Sequence, residues 1–171
     1  MSRSKRSCVS QKVRIIGVGN PDRADDGVGC LVARKLVGRL PPDVSIRTHR
    51  GDALTLIDEM RGIDALICID ASVARGSPGR VRLLDLASDR LGSAVTFVSA
   101  HSLGLAEAIA LAQALGIASR TIFVYAIEGA SFEPGRPLSA EVEAAAHTVV
   151  RRVAAQACRL RDDPCKGAGD A

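Results

Sequence analysis

Ala65-Leu-Ile-Cys-Ile69 is apolar at every position, whereas a strand with one wet face alternates. Such a run reads as a strand covered on both faces, and covering both faces of a sheet takes helices. Residues 13–18 and 121–127 read the same way. Helical spacing lies between and after these runs. Residues 27–37 place Val28, Leu31, Val32 and Leu36 on one face, and residues 140–158 do so with Val142, Ala146, Val149, Val150 and Val153. The order is strand, helix, strand, helix, which predicts a mostly parallel sheet in an α/β fold.

The remaining elements follow from local signals. Pro41-Pro42 breaks the chain before a strand at 44–48. Gly51-Asp52 opens a short helix that Gly62 ends, and Gly116 closes a helix over 103–115. Residues 80–86 alternate like an edge strand, and Ser139 is placed to cap the last helix. Residues 95–98 are either a short strand or the approach to a loop. Right-handed crossovers put the second strand on one side of the first, and the third strand on its other side makes a switch point. Ligands bind at such a point, beyond the C-terminal ends of the strands.

Three apolar runs end in reactive chemistry. The first leads into Asp25-Asp26, the second into Asp70, and 95–98 into Ser99-Ala-His101. Taken singly, each has a plain explanation: Asp25 or Asp26 caps a helix, Asp70 ends a strand, and His101 sits in a loop. Taken together, two carboxylates and an imidazole suit a divalent transition ion with open positions, or general acid/base work without one. His49 follows the second strand and could approach the same edge; His147 lies in the last helix as a structural residue. No Gly-x-Ser-x-Gly elbow occurs, so a nucleophilic triad is disfavoured.

Gly17-Val-Gly19-Asn-Pro-Asp22 begins like a dinucleotide fingerprint, but Asp22 stands where Gly or Ala belongs, and an acidic loop repels pyrophosphate. The glycines are then read as backbone devices. Gly17 and Gly19 let the loop turn, and Gly27 and Gly29 let the helix approach the sheet.

The 171 residues fit one domain, expected over 13–158, with a basic disordered tail at 1–12 and a polar tail at 159–171. The net charge of +4 comes from Arg3, Lys5, Arg6 and Lys12, so there is no basic face. With no Trp, one Tyr and three Phe there is no stacking platform either, and nucleic acid is not expected. No run reaches the ~18 apolar residues of a membrane span. The first twelve residues lack the apolar stretch of a secretory signal. Five scattered cysteines without a CxxC fit a reducing cytoplasm and no zinc knuckle.

Gly17-Val-Gly-Asn-Pro-Asp-Arg-Ala-Asp25-Asp26-Gly-Val-Gly29 resembles the opening signature of the hydrogenase maturation endopeptidases. Ile69-Asp70-Ala71 is similar to the family's second acidic site, and Ser99-Ala-His101-Ser-Leu-Gly-Leu105 to its histidine loop. The stretch from Phe132 to Val142 resembles the one before its last helix. The resemblance covers about residues 13 to 155. It implies a three-layer α/β/α sandwich with a mostly parallel five-stranded sheet and one antiparallel strand, at 80–86. It implies an endopeptidase that removes the C-terminal extension of a nickel–iron hydrogenase large-subunit precursor after nickel insertion. Asp26, Asp70 and His101 carry over as metal-contacting residues, Asp26 and Asp70 as the catalytic acids. Gly19, Asn20, Asp25 and Glu128 carry over as substrate-binding residues. Nickel is then supplied by the precursor, with other divalent ions able to substitute, and the protein is expected to be a cytoplasmic monomer. Thr48-His-Arg-Gly-Asp52 and Ile127-Glu-Gly-Ala130 depart from the family pattern, which bears on the substrate cleft more than on the metal site. Two other classes remain open: a chaperone that docks on the precursor without cutting it, and a nucleotide-binding α/β protein.

Overall fold

A computed structural model describes residues 10–86 and 105–163. Five strands form one sheet: β1 (Val13–Val18), β2 (Ser45–His49), β3 (Ala65–Ser72), β4 (Val81–Asp85) and β5 (Thr121–Glu128), in the order β2-β1-β3-β5-β4. The first four of that order are parallel, and β4 runs antiparallel along β5 at the edge. The helices are α1 (Val28–Leu36), α2 (Ala53–Glu59), α3 (Leu105–Ala114) and α4 (Ala140–Asp162).

The continuous apolar runs are buried on both faces. In β3, Ile67 and Ile69 pack with Val28, Val32 and Leu36 of α1 and Val142, Val149 and Val153 of α4. Leu66 and Cys68 point the other way, to Leu56 and Ile57 of α2 and Leu105 and Ile109 of α3. The result is a three-layer α/β/α sandwich with β1 between β2 and β3. The switch point therefore falls between β1 and β3, as expected if the third strand lies on the far side of the first.

Several boundaries differ from the sequence expectations. β3 continues through Asp70 to Ser72, because β5 goes on pairing with it: Asp70↔Ala126, Ala71↔Ile127, Ser72↔Glu128. The last helix runs to Asp162, so 159–162 are helical rather than tail. Residues 10–12 are not a loose tail either. Gln11 donates its backbone N–H to Arg161 O (3.2 Å), and Lys12 donates to Asp64 Oδ2 (2.7 Å). Asp52 caps α2, accepting from Leu54 N and Thr55 N at its Oδ1. The expected stretch at 95–98 lies outside the described residues.

Candidate active site

β1 ends at Val18, and the chain turns at Gly19, whose φ of +136° only glycine adopts readily. A Cβ on Gly19 would stand 1.8 Å from the carbonyl oxygen of Asp26. The turn leads into a 3-10 turn, Ala24–Gly27, that carries both Asp25 and Asp26 ahead of α1. Neither acid caps a helix through its side chain: the 3-10 turn and α1 both start without a side-chain cap. Gly17 is a packing residue rather than a turn residue. A Cβ there would lie 2.1 Å from Gly29 O, so α1 sits backbone to backbone on β1.

The last β1 residue to pair with β3 is Gly17, opposite Ile69. Beyond it β3 runs on through Asp70–Ser72 with β5 alone. β1 and β3 therefore part here, at the switch point of the sheet. Asp70 lies on the part of β3 beyond this point, 0% exposed, and Asp26 on the 3-10 turn, 1% exposed. Asp26 thus follows β1 on the 3-10 turn, and Asp70 lies on the C-terminal part of β3, the adjacent parallel strand. One oxygen of each carboxylate is held by a backbone N–H: Asn20 N to Asp26 Oδ2 (3.1 Å) and Ala71 N to Asp70 Oδ1 (2.8 Å). Fixed carboxylate planes of this kind suit a preorganised site.

His101 lies outside the described residues. Among the described residues no group of three or more His, Cys, Asp and Glu could hold a metal. Asp26 and Asp70 are hard oxygen donors of the kind that divalent cations take. Two thiols border the site, and neither is a nucleophile. Burial pushes the Cys30 thiol up, with the Asp26 charge adding to it while Arg34 works against it. Burial likewise pushes Cys68 up, and Asp70 adds to it. Both remain protonated, and Cys30 donates weakly to Gly19 O at 3.3 Å.

The residues expected to bind substrate have mixed placements. Gly19 makes the turn. Asn20 is half-buried; its Oδ1 accepts from Asp22 N (3.0 Å) and from the Arg50 guanidinium (3.4 Å). Arg50 also pairs with Asp22 (3.2 Å), an exposed contact that sequence reading missed. Asp25 is 0% exposed and accepts from Ala130 N (2.7 Å), Ser131 N (3.0 Å), Ser139 N (2.7 Å) and Ser139 Oγ (3.0 Å). Its carboxylate thus binds a segment of its own chain. The Ser139 hydroxyl, expected to cap α4, is turned to Asp25 instead. His49 accepts at Nδ1 from Gly51 N (3.0 Å), which places the proton of the neutral ring on Nε2. His147 is exposed on α4.

Glu128 ends β5, and its Oε1 accepts from Ser77 N (2.8 Å) and Arg75 N (2.5 Å), fastening the turn between β3 and β4. These two N–H groups, Ser77 first, hold its carboxyl below the usual glutamate range. A lowered native pKa gives stability that is present above the unfolded-state value and is lost as pH falls through the native one. The Arg75 and Ser77 amides should therefore stay protected from hydrogen exchange at pH 5. They should lose protection only when pH drops below the ordinary carboxylate range. Loss at pH 5 would contradict the clasp.

A hollow of about 410 Å³ lies at the opposite end of the strands, lined by Gln11, Asp64, Arg120 and Leu160 among others. It contains neither site acid.

The sequence profile of the HycI hydrogenase maturation protease family matches residues 51–156. Similar solved structures include the hydrogenase maturating endopeptidase HybD from E. coli. It is 25% identical, covers 85% of this chain and 91% of its own, and has a TM-score of 0.67. The hydrogenase 2 maturation peptidase from a Thaumarchaeota archaeon is 26% identical over 88% of this chain and 99% of its own, with a TM-score of 0.62. HybD from Thermococcus kodakarensis, 24% identical over 85% and 99%, shares the fold with a TM-score of 0.69. No curated protein sequence matches the chain. Among the described residues no helix is long and apolar enough to cross a membrane.

Proposed function

The chain belongs to the hydrogenase maturation protease family, a family of peptide-bond hydrolases, and from that membership we propose that it removes the C-terminal extension of a nickel–iron hydrogenase large-subunit precursor. This site is supported by the burial of both Asp26 and Asp70, the one on the turn after β1 and the other on β3, the two strands of the switch point. In this reading nickel is cargo, bound to thiolates of the precursor. Asp26, Asp70 and His101 complete its coordination and so register one peptide bond beside it. Selectivity then comes from the substrate, because an oxygen and nitrogen donor set by itself favours copper over nickel. In the same reading Asp26 or Asp70 serves as the base for an attacking water.

The test is intact-mass spectrometry of precursor incubated with the full-length protein, nickel-loaded and nickel-free side by side. Loss of one C-terminal peptide from the loaded precursor alone is expected. Equal cleavage of the nickel-free form would remove the sensing role. An unchanged mass in both would point to a non-cutting chaperone.

A further inference from the structure

The 3-10 turn that carries Asp26 cannot hold its own shape. It has four residues, lacks a side-chain cap, and follows Arg23 through Ala24, a non-glycine residue at φ +45°. So short a turn is unstable alone, and left-handed backbone at alanine adds strain. Something outside the turn must fix it, and the bonds lead to the segment between β5 and α4. Asp25 accepts four times from Ala130, Ser131 and Ser139, and its own N–H donates to Ser131 O (3.1 Å). Gly135 N donates to Asp22 O (2.8 Å) one turn earlier.

We propose that Asp25 is a positioning residue: by locking the 3-10 turn onto the 130–139 segment, it sets the direction in which the Asp26 carboxylate points. At three residues per turn, neighbouring side chains point about 120° apart. Asp25 held toward 130–139 leaves Asp26 turned to Asn20 and the end of β1, where Asn20 N meets its Oδ2. Asp25 has no room for substrate: it is fully buried, and a Cβ on Gly129 would already lie 3.2 Å from its own Cβ. The substrate contact expected of it from the sequence is therefore replaced by a contact within the chain. The inference rests on the functional reading above only for its effect on cleavage; the coupling of Asp25 to the Asp26 loop stands apart from it.

Asp25→Asn tests it, because an amide keeps one acceptor oxygen and sets an NH2 against the remaining N–H donors. Amide hydrogen exchange on the full chain is the first measurement. The Ala130, Ser131 and Ser139 amides should exchange about tenfold faster or more, and so should Asn20, which bonds to Asp26 and not to Asp25. Ile67 and Val124 in the sheet should not change. Asn20 keeping its protection while 130–139 loosens would overturn the proposal, leaving Asp25 as a loop fastener only. Cleavage of nickel-loaded precursor gives the second reading. The variant should lose about 10- to 100-fold in kcat with KM within about threefold; a raised KM at unchanged kcat means direct substrate contact and overturns it. Ser139→Ala, which removes one donor and spares the backbone, should speed Asn20 exchange about threefold. It decides the matter if Asp25→Asn does not fold, an unchanged Asn20 again being the contrary result. Failure of the wild-type protein to cut any precursor would sink the functional reading and leave the exchange result intact.

Discussion

Asp70→Asn should leave a folded protein that processes nickel-loaded precursor at least about 10³-fold more slowly than wild type, the scale seen when a group acting in the transition state is removed. The amide has nearly the volume of the carboxylate, and its oxygen can still accept from Ala71 N, the bond made at Oδ1. The backbone around it is held by pairing with Ala126 of β5. What changes is the charge, and with it both the oxygen donor for a cation and the capacity to take a proton. Asp26→Asn should behave similarly, since Asn20 N keeps an acceptor. Initial rates by gel shift, read beside a thermal melt of each variant, separate a chemical loss from unfolding. Full activity in Asp70→Asn would move the site elsewhere in the fold.

Gly29→Ala should cost the fold about 3 kcal/mol or more, at the upper end of overpacking penalties. A methyl on Gly29 would meet Val18 O at 2.2 Å and Ile69 O at 2.3 Å. Both are main-chain atoms of β1 and β3, the two strands of the switch point, and neither can step aside as a side-chain tip could. Relief requires α1 to lift, and the 3-10 turn that bears Asp26 runs directly into α1. For a chain of this length the melting temperature should fall by about 6–12 °C, and cleavage should fall further than the folded fraction does. Gly38→Ala is the comparison. It sits at φ +76° with nothing within 4 Å of a new Cβ, so only the left-handed backbone penalty of about 1 kcal/mol applies. Equal melting temperatures for the two variants would contradict the close approach of α1 to the sheet.

The alternation of strands and helices, and with it the mostly parallel sheet, was legible because it follows from periodicity, which acts over short stretches. Mostly apolar runs at 13–18 and 65–69 announce strands covered on both sides, and a third parallel strand on the far side of the first makes the switch point. That is why the sequence leads Asp26 and Asp70, 44 residues apart, to the two strands of one switch point. The extent of β3 was not legible. Asp70 looks like a strand end, because a charge follows five apolar residues, yet β5 carries the pairing three residues further. The fate of Asp25 was less legible still. Its partners lie 105 to 114 residues away in an exposed segment without periodicity, and no spacing rule connects them. Adjacent acids look like one cap and one ligand; here neither caps a helix, and one is a clasp. The bonds of Glu128 were hidden for a similar reason: its Oε1 goes to the turn at Arg75 and Ser77, more than fifty residues back along the chain.

The claim beneath the functional reading is that Asp26, Asp70 and His101 serve one ion. Nuclear magnetic resonance of the full-length protein during titration with nickel tests that most directly, since the paramagnetic ion broadens nearby signals. The Asn20 and Ala71 amides, which report on the two carboxylates, and the His101 imidazole should fade together along a single weak binding curve. Separate curves for the three, or a His101 signal that stays sharp while the amides vanish, would contradict a shared site.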